Sequence, residues 1–259
     1  MIELVEKIKN IFQIPFVEGI IGAIVTYVFL KLKLRVSLRP LKKIWRIFKD
    51  DTIFIILPGI TQDSFYIPIV KQHSKIPKNV KLMPFSESIG IAELQKTLEQ
   101  LFPKKRIVLS NSENFFNITD SYISIGGPSV NKITHDLLNV HKIDYGFQLI
   151  YPDHYAIDDV AKKRYKCDED DNQILNDYGF IFISNNPHNS QKKVCVLCGV
   201  WAHGTYSAIQ ALTSSKMTIK QIAKYLKKNK NILIVTKSNV SDVNTGAPTI
   251  DFMRPLQNK

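Results

Sequence analysis

Apolar residues along this chain gather in short runs that alternate with stretches of helical spacing. The runs "TIFIIL" (52–57), "RIVLS" (106–110), "YISI" (122–125), "GFQLIY" (146–151), "GFIFIS" (179–184), "VCVLCGV" (194–200) and "NILIV" (231–235) are rich in β-branched and aromatic side chains and predict strands. Between them, "IAELQKTLEQLF" (91–102) sets Ile91, Leu94, Leu98, Leu101 and Phe102 on one helical face. "VNKITHDLLNV" (130–140), "TYSAIQALTS" (205–214) and "TIKQIAKYLKKN" (218–229) read as further helices, the last with a basic face. Strands alternating with helices predict an α/β fold, a sandwich around a mostly parallel sheet.

One segment departs from that alternation. Between Lys142 and Val200 the strand-like runs follow one another with little helix, which predicts an antiparallel insert or edge. "DYGF" opens two of these runs, at 144–147 and 177–180, and the turn-rich link "NNPHNSQKK" (185–193) should close a hairpin. The acidic "KCDEDDNQ" (166–173) reads as a solvated loop.

Charge adds an N-terminal feature to this picture. The formal net charge is +12, and more than half of it lies in residues 31–50, where Lys31, Lys33, Arg35, Arg39, Lys42, Lys43, Arg46 and Lys49 face only Asp50. Directly upstream, "IPFVEGIIGAIVTYVFL" (14–30) is apolar except for Glu18 and Thr26. That run meets the lower limit of about 17 residues for a bilayer span. The positive-inside rule then places the bulk of the chain in the cytoplasm. The expected organisation is a single-pass membrane anchor over 1–34, a basic juxtamembrane linker over 35–50 that meets anionic lipid, and a Rossmann-like cytoplasmic domain over 51–259. A buried or interfacial helix is the alternative for the apolar run, and nucleic-acid binding is the rival explanation of the basic block.

Cys167, Cys195 and Cys198 suit a reducing compartment without a disulfide framework. "CVLC" has CxxC spacing, but strand alternation sends its two sulfurs to opposite faces, which suits neither a metal clamp nor a redox pair. No metal site is expected, and nothing in the sequence names a cofactor.

Candidate chemistry sits at two strand-to-helix joints. The first runs Gly126, Gly127, Pro128, Ser129, Val130, Asn131, with Thr134 one turn into the helix. The second runs Gly199, Val200, Trp201, Ala202, His203, Gly204, Thr205. In open α/β sheets, ligands bind beyond the carboxyl ends of strands, where helix N-termini present free N–H groups to anions. Gly127 and Gly204 would let a ligand approach the backbone. Ser129, Asn131, Thr134 and Thr205 would contact a phosphate or ribose, and Trp201 would stack on a base. His203 would meet an anion or carry a proton. Glu87 in "PFSESIG" and Glu113 in "SNSEN" each follow a strand-like run and are candidate acid/base carboxylates.

The strand, Gly-Gly, helix passage resembles the nucleotide-binding loops of Rossmann-like SLOG and LOG-type proteins. The expected anchor-plus-domain layout is similar to that of SLOG and TIR-like modules coupled to membrane segments in bacterial nucleotide-signalling defence systems. Of the LOG phosphoribohydrolase motif PGGxGTxxE, the second joint matches only at Gly204 and Thr205, and the acidic position falls on Ala208. The resemblance therefore implies nucleotide binding more than turnover. It implies a membrane-anchored sensor or effector that binds a nucleotide or nucleotide-derived signal and self-associates. TIR-like glycohydrolases use a single glutamate, so a nucleotide-processing N-glycohydrolase acting through Glu87 or Glu113 is the alternative. A basic nucleic-acid-binding protein is the third.

Overall fold

A computed structural model of the chain describes residues 23–29, 38–59, 64–67, 72–75, 83–151, 153–170, 173–241 and 244–257. The apolar runs become strands of one mixed sheet. Strands β1 (Thr52–Leu57), β4 (Arg106–Asn111) and β5 (Tyr122–Ile125) form its parallel part, after the small hairpin β2 (Ser64–Ile67) and β3 (Gln72–Lys75). A separate meander follows, β6 (Phe147–Ile150), β7 (Tyr155–Asp158) and β8 (Lys163–Lys166), and then a short pair, β9 (Glu169–Asp170) and β10 (Gln173–Ile174). The main sheet resumes with β11 (Asn176–Asn186), β12 (Asn189–Gly199), β13 (Ile232–Ser241), β14 (Asn244–Thr245) and β15 (Thr249–Pro255). Its order is β14-β13-β11-β12-β5-β1-β4, and β15 also pairs with β13.

Helices α1 (Arg39–Trp45), α2 (Phe85–Leu101), α4 (Ala202–Thr213) and α5 (Lys216–Tyr225) cover one face of this sheet. There Trp45, Leu94, Leu98, Leu212 and Ile222 pack on Ile53, Ile55, Ile123 and Ile181. The other face is covered by α3 (Lys132–His135), which continues as a single π turn over Asp136–Val140, and by the β6–β8 meander. There Ile133, Leu137, Phe147, Ala156 and Tyr165 meet Phe180, Phe182, Val194 and Val196. Both faces of the stretches Phe180–Ile183 of β11 and Val194–Cys198 of β12 are buried, so these stretches are continuously apolar rather than alternating. Cys195 belongs to the first core and Cys198 to the second, on opposite faces of β12.

Three expectations need correction. The sheet is not mostly parallel with an insert. Only the pairs β4–β1, β1–β5 and β5–β12 are parallel, while β11, β13, β14 and β15 add an antiparallel half to the same sheet. The cause is connection length. A parallel neighbour needs a crossover of about a dozen residues, whereas β11 and β12 are joined only by the turn at Pro187 and His188.

The single-pass membrane helix is corrected too. Among the described residues, no helix is long and apolar enough to cross a membrane. Residues 23–29 are helical with exposed side chains, and residues 14–22 and 30 of the expected span lie outside the described residues. The run only just met the length limit, with Glu18 inside it. The cytoplasmic placement of residues 51–259 depended on that span and falls with it. Nor is the whole 35–50 block a free linker. Leu41, Ile44, Trp45 and Phe48 are buried in the first core, and Trp45 Nε1 donates to Leu212 O at 3.1 Å.

Candidate functional site

Strands β5 and β12 run parallel with Ile125 opposite Leu197, so their carboxyl ends lie side by side. Gly126 N–H donates to Leu197 O at 2.8 Å and locks the two joints together. From there the chain diverges: α3 leaves β5 for the second core, and α4 leaves β12 for the first. Neighbouring parallel strands whose helices depart on opposite faces leave a crevice between them, where ligands bind in doubly wound folds. Here the crevice is a cavity of about 230 Å³, lined by residues of both joints, by Glu87 of α2 and Pro84 at its N-cap, and by Tyr151 and His154 from the loop after β6.

Glu87 is the chemically distinctive group. It sits in the first turn of α2 and is only 4 % exposed. Burial pushes its carboxyl up to about 7; a hydrogen bond with the Thr205 side chain opposes the shift and the nearby Asp177 adds to it. Oε2 of Glu87 has no hydrogen-bond partner. Two further buried polar atoms of the lining residues are equally unpartnered, His154 Nδ1 and Trp201 Nε1. Such groups normally find partners in folded proteins, and all three belong to residues that line this one cavity. The His154 ring stacks on Trp201 with centroids 3.7 Å apart and planes 19° from parallel, and Tyr151 meets His154 edge-on at 5.5 Å. His154 holds this position with a φ of +48°, a left-handed conformation that histidine adopts more readily than most residues. Burial raises the Tyr151 phenol above its ordinary range, so it remains a neutral hydroxyl.

Asp177 at the start of β11 decides what the second joint can do. Its buried carboxylate accepts from Gly204 N–H, from Trp201 N–H at 3.2 Å, from Tyr178 N–H at 2.8 Å and from Cys167 Sγ at 3.1 Å. An internal anion therefore already caps the N-terminus of α4, and burial pushes that carboxyl up to about 6. The phosphate contact expected at this joint is corrected for that reason.

The sequence-predicted residues divide accordingly. Gly127, Ser129, Trp201, Thr205 and Glu87 line the one cavity. Gly126 does not line it; it takes the positive φ of +93° that the turn requires. Asn131 is buried as the N-cap of α3. Its Oδ1 accepts from Ile133 and Thr134 N–H, and its Nδ2 donates to Ile125 O at 2.7 Å. The Thr134 hydroxyl pairs with Ser124 Oγ at 2.8 Å. Both side chains therefore hold the joint together instead of facing a ligand. His203 Nδ1 lies 2.8 Å from Thr245 Oγ1, burial lowers its pKa, and the residue is not part of the cavity wall. Glu113 is exposed in the turn after β4, outside the cavity. Sequence reasoning missed Tyr151, His154 and Asp177. The repeated "DYGF" was a usable signal, because both of its aspartates, Asp144 and Asp177, are buried.

Gly204 is a glycine for packing. A Cβ there would collide with the Tyr178 carbonyl and lie 2.9 Å from Asp177 Oδ1. Gly204→Val is therefore expected to lose at least ~1–3 kcal/mol of stability through overpacking. Chemical denaturation should register the loss whether or not a ligand is present.

Compared with protein-family models and with curated proteins, the chain gives no match.

Proposed function

We propose that the cavity between the two joints binds the nucleoside end of a nucleotide or nucleotide-derived signal, and that the domain acts as a sensor or effector for that ligand. The observation that carries this reading is the crevice between β5 and β12, lined by Glu87, whose buried Oε2 is unpartnered. The volume of about 230 Å³ lies just below the ~300–1,000 Å³ usual for drug-sized ligands, which suits a base and ribose better than a whole dinucleotide. Among the described lining residues there is no lysine or arginine, while Glu87 lines the wall and Asp177 stands behind it. A neutral or cationic ring belongs in such a place, and phosphates belong outside it. The Tyr151, His154 and Trp201 side chains offer ring faces and edges to a base.

One observation favours a second reading, turnover of the same ligand. A carboxyl poised at about 7 matches what general acid or base catalysis needs near neutral pH. Hydrolysis of an N-glycosidic bond would use Glu87 to take a proton from water or to stabilise the sugar cation.

Titration calorimetry of the full chain with adenosine, AMP and NAD⁺ tests the binding reading. Adenosine and AMP should bind within about tenfold of each other, a difference under roughly 1.4 kcal/mol, because the phosphate stays outside. In Gly127→Val the new side chain would occupy cavity space against the Tyr151 hydroxyl. Tyr151 must shift to admit the new Cβ, so about 1–3 kcal/mol of stability should be lost as well, and the affinity of the folded fraction should fall at least about tenfold. Absence of heat with all three probes, or equal affinities for parent and variant, would overturn the reading.

A further inference from the structure

The fold brings together two basic segments that are far apart in sequence. Residues 31–49 and 178–241 contain no Asp or Glu. Helix α1, from the first segment, packs beside α5, from the second, with the apolar sides of both in the first core. Between them lies a groove of about 200 Å³ lined by Pro40, Lys43, Lys220, Ala223, Lys224 and Lys227. Its four lysines are exposed, and Arg46 and Lys216 extend the surface at either helix. Among the described residues none of these cations is in an ion pair. The groove shares no residue with the cavity between the joints.

We propose that this α1–α5 groove is a second site, which binds the phosphate backbone of a nucleic acid without reading its sequence. Clustered, unneutralised lysines on rigid helices are what neutralises phosphates and releases their counterions. Spacing supports a linear polyanion: Lys216, Lys220 and Lys224 recur every fourth residue, and so present a charge about every 6 Å along α5. No large aromatic or aliphatic side chain of α1 is exposed, and on α5 only Met217 is. A surface of this kind offers no bases a stacking platform, which keeps contact to the backbone. It also offers little to insert among acyl chains, because the apolar faces of both helices are already buried in the protein. The occupant that fits is a nucleic-acid strand or duplex.

Fluorescence anisotropy of the full chain with a mixed-sequence DNA duplex, over a series of salt concentrations, tests this. Two sequences of equal length should bind alike, with affinity falling linearly on a log–log plot against salt. Lys220→Glu combined with Lys224→Glu should weaken binding at least tenfold and reduce the salt slope by about 2. The double variant Lys132→Glu with Lys166→Glu makes the same change in net charge elsewhere on the exposed surface. It should leave the slope nearly unchanged. All these side chains are exposed, so melting temperatures should agree within error and exclude misfolding. Equal losses in both double variants would overturn the proposal, since the effect would then be net charge alone. Binding to phosphatidylserine vesicles with no binding to duplex would also overturn it, in favour of a lipid surface.

Discussion

Replacing Arg254 with alanine is expected to remove about 3–5 kcal/mol of stability, enough to bring a chain of ordinary stability close to unfolding at ambient temperature. Arg254 projects from β15 and is almost fully buried. Its Nε lies 2.8 Å from Asp158 Oδ2 and its Nη1 lies 2.7 Å from Asp144 Oδ2, with both carboxylate side chains at 0 % exposure. The remaining oxygens are used locally. Asp158 Oδ1 accepts from Val160 and Ala161 N–H at 3.0 Å each, and Asp144 Oδ1 accepts from Gly146 N–H at 3.1 Å. The arginine is thus the tie between the main sheet and the β6–β8 layer that carries Tyr151 and His154 toward the cavity. Without it, two buried carboxylates lose their shared cation, and that desolvation cost exceeds any loss of packing. Burial already holds the Asp144 carboxyl above its usual range despite Arg254. In the variant, the Asp144 carboxyl should titrate higher still, above its unfolded value. Folded-state protonation then restores stability as pH falls, so the deficit measured by urea denaturation should be smaller at pH 4 than at pH 8. A deficit below about 1 kcal/mol, or one independent of pH, would contradict this account of the triad.

Glu87→Gln carries the second large effect, with two separate readouts. The first is stability. In the unfolded chain this carboxyl releases its proton near its ordinary value of 4.5, and in the folded chain it holds it to about 7. Between these values the folded state binds more protons, so the contribution present below 4.5 is lost as pH rises through about 7. The loss is on the order of 3 kcal/mol, at 1.36 kcal/mol per pKa unit. Gln keeps the shape without the titration. The variant should match the parent at pH 4 and be more stable than it at pH 8. The second readout concerns chemistry. If the chain hydrolyses a nucleotide, Glu87→Gln should lower the rate about 10²–10⁴-fold with ligand affinity little changed. Full activity in this variant would remove the catalytic reading and leave binding alone. Unchanged pH dependence of stability would show that Glu87 is not the buried, proton-holding group described above.

The candidate site was half legible in the sequence, and the division has a physical cause. Gly127, Ser129, Trp201 and Thr205 were found because a strand must end, and a helix begin, at a position fixed by local pattern. That both joints open on the same cavity depended on β5 pairing with β12, a contact between residues about seventy positions apart. Glu87 was visible only as a carboxylate after a strand-like run, like Glu113. What distinguishes it from Glu113 is burial, and burial comes from α2 packing on α4, where Gly90 lets Tyr206 and Ile209 approach closely. Asn131 and Gly204 looked like ligand contacts because capping and close packing select the same residue types as binding does.

By itself the sequence determined the elements of the first rank: the strands at 52–57, 106–110 and 122–125, the helices at 91–102 and 218–229, the hairpin at Pro187 and the opposed sulfurs of Cys195 and Cys198. All of these follow from the period of apolar residues and from turn chemistry, which act over a few residues. Tertiary structure alone decided that the sheet is mixed, that α1 joins the core and lays its cations beside those of α5, and that Asp177 caps the helix that follows β12. It also decided that the second "DYGF" aspartate supports a cavity while the first anchors Arg254. Identical tetrapeptides took different roles because a buried carboxylate is defined by the donors that reach it, and those donors arrive from strands that pairing, not local propensity, brings near.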